Sequence, residues 1–168
     1  MNDRLRVTQG FTGVVVLFSA ASVFVHPFGA VRRQDALRPI LSDATIDATT
    51  KALLERSCQN CHSEKTVWPW YSYSPPVSWL IERDVSTARA HFNLSRWNEY
   101  PENEREILLA AIGAAVQNHQ MPPRRFTLLH PEASLSAREE EQIYRWAHAE
   151  RRRLRVQRQK SPLFTLKK

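Results

Sequence analysis

Glycine is scarce in this chain, with only four residues. That scarcity argues against a loop-rich or barrel design, because tight turns commonly use glycine. The sequence also lacks any stretch of useful length in which apolar and polar residues alternate, which is the pattern of a half-buried strand. No internal repeat is present. These absences together predict an all-α fold.

Acidic residues are missing from the C-terminal end. Residues 151–168 hold eight basic residues and no acidic one, whereas residues 31–150 hold 14 basic and 16 acidic residues. The excess of lysine and arginine therefore belongs to the end of the chain. A run of like charge is usually solvated and disordered, so residues 151–168 are expected to form a basic tail. A basic face with a nucleic-acid-binding motif is absent as well, and no nucleic-acid partner is expected.

The one long apolar run lies at the start of the sequence. Arg4 and Arg6 precede the run, which covers residues 10–25. Positive charge followed by an apolar run is typical of an export signal, although a spanning helix needs roughly 20 apolar residues. No cleavage site stands out. Residues 1–30 are therefore expected to be a signal peptide or a membrane-anchor helix, followed by a linker over residues 31–42. The remainder is expected in the periplasm or cell envelope.

Four amphipathic segments predict helices that build one domain over residues 43–150. The first is expected from near Asp43 or Thr45 to about Gln59, and the second from Pro76 to about His91. The third should cover residues 101–117, and the fourth should start after Ser136, which forms a capping box with Glu139. The apolar positions of the second and third helices predict their buried faces: Trp79, Leu80 and Val85, and then Ile107, Leu108, Ala111, Ile112, Ala115 and Val116.

The only two cysteines lie in the run Cys58-Gln59-Asn60-Cys61-His62. C-x-x-C-H is the pattern of c-type haem attachment. Two intervening residues let both thiols reach the vinyl groups of the porphyrin, and the next residue then lies under the iron. We predict one covalent haem c, bound through Cys58 and Cys61, with His62 as an axial iron ligand.

Three other interpretations of the same cysteines remain open. A thioredoxin-like dithiol would need a strand before the motif and a β-α-β context, and here a helix is expected before it. A structural zinc site needs four ligands, so His91, His119 or His130 would have to complete it. A surface disulfide closing a four-residue loop is the third possibility.

The sixth iron ligand is predicted to be Met121, with His119 as the rival. Met121 lies 59 residues after His62, past the end of a predicted helix, and Pro122 and Pro123 follow it. His/Met ligation is a cytochrome c arrangement and raises the reduction potential. A methionine is, however, more often a core residue.

An aromatic cluster follows the attachment motif. Trp68, Trp70 and Tyr71 are expected to shield a bound haem, since aromatic rings bury much area and indole can donate a hydrogen bond to a propionate. Plain core packing explains them equally well. Arg89 or Arg96 could pair with a propionate, but a solvated surface role is favoured for each.

The order of these motifs resembles the bacterial haem-binding domain family, which is built on cytochrome c-like CxxCH chemistry. The resemblance covers about residues 41–149. It is carried by the following runs: Cys58-x-x-Cys61-His62-Ser63, Trp68-Pro69-Trp70-Tyr71-Ser72, Pro75-Pro76-Val77-Ser78-Trp79-Leu80, Asn93-Leu94-Ser95-x-Trp97, Met121-Pro122-Pro123 and His130-Pro131-x-Ala133-x-Leu135-Ser136.

The resemblance implies a helical domain with one c-type haem and an envelope location, and no particular substrate. This chain departs from the family pattern at two places. Asp84 stands where the family commonly has histidine, and Glu64 stands where it often has asparagine.

The favoured function is an electron carrier, not an enzyme, in which both axial positions of the haem are filled. Such a carrier needs a redox partner protein, which the sequence leaves unspecified, and the N-terminal helix is expected to contact the membrane. The alternative is a haem-based sensor or peroxidase-like enzyme with an exchangeable sixth ligand. A thiol switch without haem is the third hypothesis.

Overall fold

The computed structural model describes residues 37–160 and a few earlier ones: Val25, Pro27, Phe28, Val31 and Arg32. The expected signal or anchor helix and residues 161–168 lie outside the described residues, apart from these few positions. The chain divides into two compact units. The first consists of residues up to Gln34 together with Val67–Thr87, and the second of Asp35–Thr66 together with Ala88–Lys168.

The regular elements of the described residues are helices. They are α1 (Ala48–Ser57), α2 (Gln59–His62), α3 (Val77–His91), α4 (Glu102–Gln117), α5 (Arg124–Thr127) and α6 (Ala137–Lys160). Short 3-10 helices cover Trp70–Tyr73, Leu94–Glu99 and Pro131–Ala133. The described residues contain no strand, which confirms the all-α prediction for this part of the chain. Within the same part, no helix has both the length and the apolar character needed to cross a membrane.

Two helix starts follow from local capping chemistry. Asp47 is the N-cap of α1, and its carboxylate accepts a hydrogen bond from the main-chain N–H of Thr50 at 2.9 Å. The capping box before α6 is confirmed, because the Glu139 carboxylate lies 2.8 Å from both the main-chain nitrogen and the hydroxyl of Ser136. Helix α1 ends at Ser57, two residues before the expected end, and Cys58 separates it from α2.

The core of the second unit is formed mainly by α4 and α6. Both helices present apolar residues at helical spacing, and these residues are almost fully buried. Trp97, in the 3-10 helix after α3, has no exposed surface at all. The core comprises Ile40, Leu41, Leu53, Leu54, Leu94, Trp97, Leu109, Ile112, Val116, Ile143, Trp146, Ala147 and Leu154.

The buried face of α4 differs from the predicted one. Ile107 is 66% exposed, whereas Glu106 is buried. The Glu106 carboxylate lies 2.9 Å from Arg155 and 3.1 Å from Arg158. A buried carboxylate is tolerated when it is paired. The two arginines therefore allow Glu106 to be part of the buried face of α4.

The expectation that the chain forms a solvated basic tail from residue 151 onward is wrong for residues 151–160, which belong to a helix. Helix α6 continues to Lys160, and Arg153 binds the buried Glu150 at 2.5 Å. Leu154, on the same stretch, is only 1% exposed. This part of the chain stays ordered because buried carboxylates neutralise its arginines and Leu154 enters the core.

The first unit contains a cluster around Arg32. The Arg32 guanidinium donates to the buried Glu82 carboxylate at 2.9 Å and also to the carbonyl of Ser72. It lies over the ring of Trp68 at 4.2 Å and over that of Tyr73 at 4.5 Å from the ring centroids. Arginine is suited to such a position, because its planar cation stacks on aromatic rings while donating from its edges.

The buried face of α3 is also partly different from the prediction. Val85 is buried as expected, but Leu80 is 43% exposed. Ser78 and Glu82 are buried in its place. An apolar pattern could not reveal this face, because it includes the charged Glu82, which is paired with Arg32.

A pair of substitutions in α6 tests whether the end of this helix packs in solution. Leu154→Ala should lower the free energy of unfolding by about 2–5 kcal/mol, since it removes a buried side chain and leaves a cavity. Val156→Ala is the matched control, because Val156 is 47% exposed and its loss should cost less than about 0.5 kcal/mol. Urea denaturation measures both. Equal, small effects would show that this stretch of α6 is not packed in the core.

Candidate functional site

Cys58, Cys61 and His62 lie on one helical turn. The main-chain N–H groups of Cys61 and His62 both donate to the carbonyl of Cys58, at 3.2 and 3.0 Å. Residues three and four positions apart share a helix face. The turn therefore places Cys61 and His62 on the same side as Cys58.

The two thiols are not joined in a disulfide. Burial, and to a lesser degree the neighbouring Cys61, raises the pKa of the Cys58 thiol to about 12. Cys58 is therefore a neutral thiol near neutral pH. A helix precedes the motif, unlike the strand that leads into a thioredoxin-like dithiol.

The His62 ring is buried and held from one side by Phe92. The two rings are stacked, with centroids 4.0 Å apart and planes inclined by 9°. Nδ1 of His62 lies 3.3 Å from the carbonyl oxygen of Phe92. A carbonyl can only accept, so the proton is on Nδ1 and the lone pair of the neutral ring is on Nε2.

Burial lowers the pKa of His62, and the nearby His91 contributes in the same direction. Contacts with the carbonyls of Phe92 and Ala88 oppose this effect. The imidazole is consequently neutral near neutral pH, which is the form that ligates metal ions.

Arg89 binds the segment that directly follows the C-x-x-C-H motif. Its guanidinium donates to the carbonyl of Ser63 at 2.8 Å and to the Thr66 hydroxyl at 2.8 Å. The Thr66 hydroxyl in turn donates to the carbonyl of Asn60 at 2.7 Å. Arg89 is half-buried, so the expected solvated surface role is wrong for this residue.

Glu64 lies in the same segment and also forms hydrogen bonds that hold it in place. The residue is buried, with 7% of its surface exposed. Its carboxylate accepts from Arg96 at 2.6 Å and from the Asn93 amide at 3.3 Å. Its main-chain N–H donates to the Ser95 hydroxyl at 3.1 Å. Arg96 lies at the surface, as expected, with its side chain 54% exposed, and it is also paired with Glu64.

Met121 follows α4 and belongs to the second unit, as do the cysteines and His62. Its main-chain N–H donates to the carbonyl of Ala115 at 3.2 Å, and 39% of the residue is exposed. The rival His119 is directed to α6, with Nδ1 2.9 Å from the Glu140 carboxylate. Its side chain is 74% exposed.

The aromatic residues predicted to shield a haem belong to the first unit. Trp70 is 85% exposed, whereas Trp68 and Tyr71 are partly buried. Nε1 of Trp68 is buried and has no hydrogen-bond partner among the residues that the structure describes. The role of Trp68, Trp70 and Tyr71 in shielding a haem stays a prediction.

Sequence reasoning missed Phe92 as a neighbour of His62. A phenylalanine 30 residues away carries no signal of its own, because its contribution is a stacked ring and a main-chain carbonyl. Glu64 was visible as a departure from the family pattern, although nothing in the sequence paired it with Arg96.

The donor set fits a c-type haem. It supplies two reduced thiols at C-x-x-C spacing, and next to them a neutral imidazole whose Nδ1 is already occupied and whose Nε2 carries the lone pair. Ligating histidines commonly hold their second nitrogen in this way. Among residues 37–160 and the few described before them, no group of three or more histidine, cysteine or acidic side chains is placed to hold a metal ion by itself.

A helical domain that carries this turn is typical of haem-binding proteins. The comparisons with known proteins agree with this class. The haem-binding domain family matches residues 17–149, and the chain belongs to that family. A curated relative, the cytochrome c peroxidase Ccp of Escherichia coli (strain K12), is 27% identical over 157 residues. That match covers 87% of this chain but only 32% of the relative. No solved structure matches the chain.

Proposed function

We propose that this haem-binding protein carries a single c-type haem and transfers electrons in the cell envelope. The observation that carries the proposal is the shared face of Cys58, Cys61 and His62 on one turn, with Nδ1 of His62 already held. In attachment, each S–H adds across one vinyl C=C bond: the sulfur bonds to one carbon and the hydrogen goes to the other. No oxidant is required for this addition.

Different residues of the chain would bind different parts of the haem. Cys58 and Cys61 would anchor it through their sulfur atoms, and His62 would bind the iron through Nε2. Met121 is proposed as the other ligand, because its thioether follows α4 while the rival imidazole of His119 is turned to Glu140. When bound, haem supplies a one-electron redox centre.

A second candidate is a peroxidase-like or sensing function with an exchangeable sixth ligand. Two observations favour it. The curated relative bears the name cytochrome c peroxidase, and Met121 is partly exposed, unlike the buried His62. Because the chain spans about a third of that relative, the relative's activity is only a hypothesis here.

The covalent attachment is tested by replacing both cysteines. Cys58→Ala with Cys61→Ala should abolish covalent haem, because no other thiol exists in the sequence. Denaturing electrophoresis with a haem-peroxidase stain, on protein made in a host that attaches c-type haem, measures it. Met121→Ala keeps both thiols and serves as the control that must still stain. A stained band in the double variant would contradict the assignment.

The sixth ligand is tested by spectroscopy of the haem-loaded protein. The ferric parent should show the weak near-infrared sulfur-to-iron charge-transfer band of His/Met ligation. Met121→Ala should remove that band, lower the reduction potential and open the iron to carbon monoxide, since the thioether raises the potential and fills the position.

His119→Ala is the matched variant and should leave the band unchanged. Loss of the band in His119→Ala, or its survival in Met121→Ala, would refute Met121 as the ligand. Carbon monoxide binding to the reduced parent itself would favour the exchangeable-ligand function over electron transfer.

The envelope location is proposed from Arg4 and Arg6 before the apolar run of residues 10–25. A periplasm-competent reporter fused after Lys168 should be active, and a strictly cytoplasmic reporter at the same place should be inactive. Fusions that lack residues 1–30 provide the control and should reverse this result. Activity of the cytoplasmic reporter on the full chain would overturn the location.

A further inference from the structure

We propose that Glu64 is a positioning residue for His62, which it orients by fixing the turn at residues 92–96. This role deepens the proposed function, since it matters to iron only if His62 is a ligand. The hydrogen bonds that define it exist independently of the cofactor.

Glu64 is attached to that turn by both its main chain and its side chain. Its carboxylate oxygen Oε1 accepts from Nδ2 of Asn93 and from Nε of Arg96, while its N–H donates to the Ser95 hydroxyl. Asn93 closes the turn on itself, because its Oδ1 accepts from the main-chain N–H of Ser95 at 2.9 Å. Two residues of the turn, Asn93 and Arg96, therefore bind a single carboxylate two positions after His62, and Ser95 accepts from the main chain of the same residue.

The turn transmits this restraint to the imidazole through Phe92. Phe92 immediately precedes Asn93, and it provides both the stacked ring and the carbonyl that faces Nδ1 of His62. At 3.3 Å the contact between Nδ1 and the carbonyl oxygen is near the upper limit of a hydrogen bond. A small outward movement of Asn93 would therefore break it.

Orientation, not stability, is the expected contribution of Glu64. Arg96 is half exposed, so water screens its attraction to the carboxylate. The turn also has a second anchor, because the main-chain N–H of Asn93 donates to the Tyr100 hydroxyl at 2.8 Å. Loss of the Glu64 carboxylate should thus loosen the turn without unfolding the chain.

The tautomer of His62 reports on this restraint directly. The Phe92 carbonyl at Nδ1 favours the Nδ1–H tautomer, and its release increases the population of the Nε2–H form, while the contact with the Ala88 carbonyl remains. Long-range ¹⁵N–¹H correlation spectra distinguish the two tautomers in the haem-free, full-length chain. The measurement needs no cofactor and no activity.

The parent should show His62 in the Nδ1–H form. Glu64→Ala should shift the ring toward the Nε2–H form, and Arg96→Ala should shift it less, because Asn93 then still binds the carboxylate. Glu141→Gln is the matched control and should change nothing, since Glu141 pairs with Arg145 on an exposed part of α6. If Glu64→Ala does not fold, Arg96→Ala carries the test. An unchanged tautomer in the folded variants overturns the proposal.

A second measurement on the haem-loaded protein separates this proposal from the assignment of His62 as a ligand. A weaker hydrogen bond at Nδ1 makes the imidazole a poorer electron donor, so Glu64→Ala should raise the reduction potential relative to both the parent and Glu141→Gln. A changed tautomer with an unchanged potential would leave the restraint on His62 standing and would refute His62 as the iron ligand.

Discussion

The hydrogen bond between Nδ1 of His62 and the carbonyl of Phe92 is the interaction on which the candidate site depends. It fixes the proton on one nitrogen and leaves the lone pair of the other on the side where a metal can bind. The stacked Phe92 ring prevents the imidazole from rotating. Hydrogen bonds on either side support this contact. Arg89 binds the main chain directly after His62, and Glu64 binds the residue directly after Phe92. A restrained histidine changes its position little when iron is oxidised or reduced, which suits an electron carrier.

Buried carboxylates that bind partly exposed arginines recur through the second unit. Glu64 pairs with Arg96, Glu106 with Arg155 and Arg158, and Glu150 with Arg153. Arginine is suited to this arrangement, since its long side chain reaches inward while part of it stays in water. Glu64 and Glu106 each bind an arginine of a separate element, whereas Glu150 and Arg153 both lie in α6. The pairs at Glu106 and Glu150 hold residues that look like a basic tail in the sequence within α6.

The two proposed axial residues stand in contrasting environments. His62 is buried and held by a ring and a carbonyl, whereas Met121 is partly exposed after the end of α4. A rigid ligand on one side and a less protected one on the other are compatible with either electron transfer or ligand exchange. The strength of the proposed bond between Met121 and iron would decide between the two behaviours.

The sequence by itself determined the helical class, the capping box of Ser136 and Glu139, the C-x-x-C-H motif and the family. These features depend on residues a few positions apart, and helix geometry converts such spacing directly into shared faces. The tertiary structure alone decided that Phe92 holds His62, that Glu106 and Glu82 are buried, and that Ile107 and Leu80 are exposed. A charged residue can enter a core only when a partner neutralises it. The partner of Glu106 lies 49 residues away and that of Glu82 lies 50 residues away, so only the fold brings each pair together.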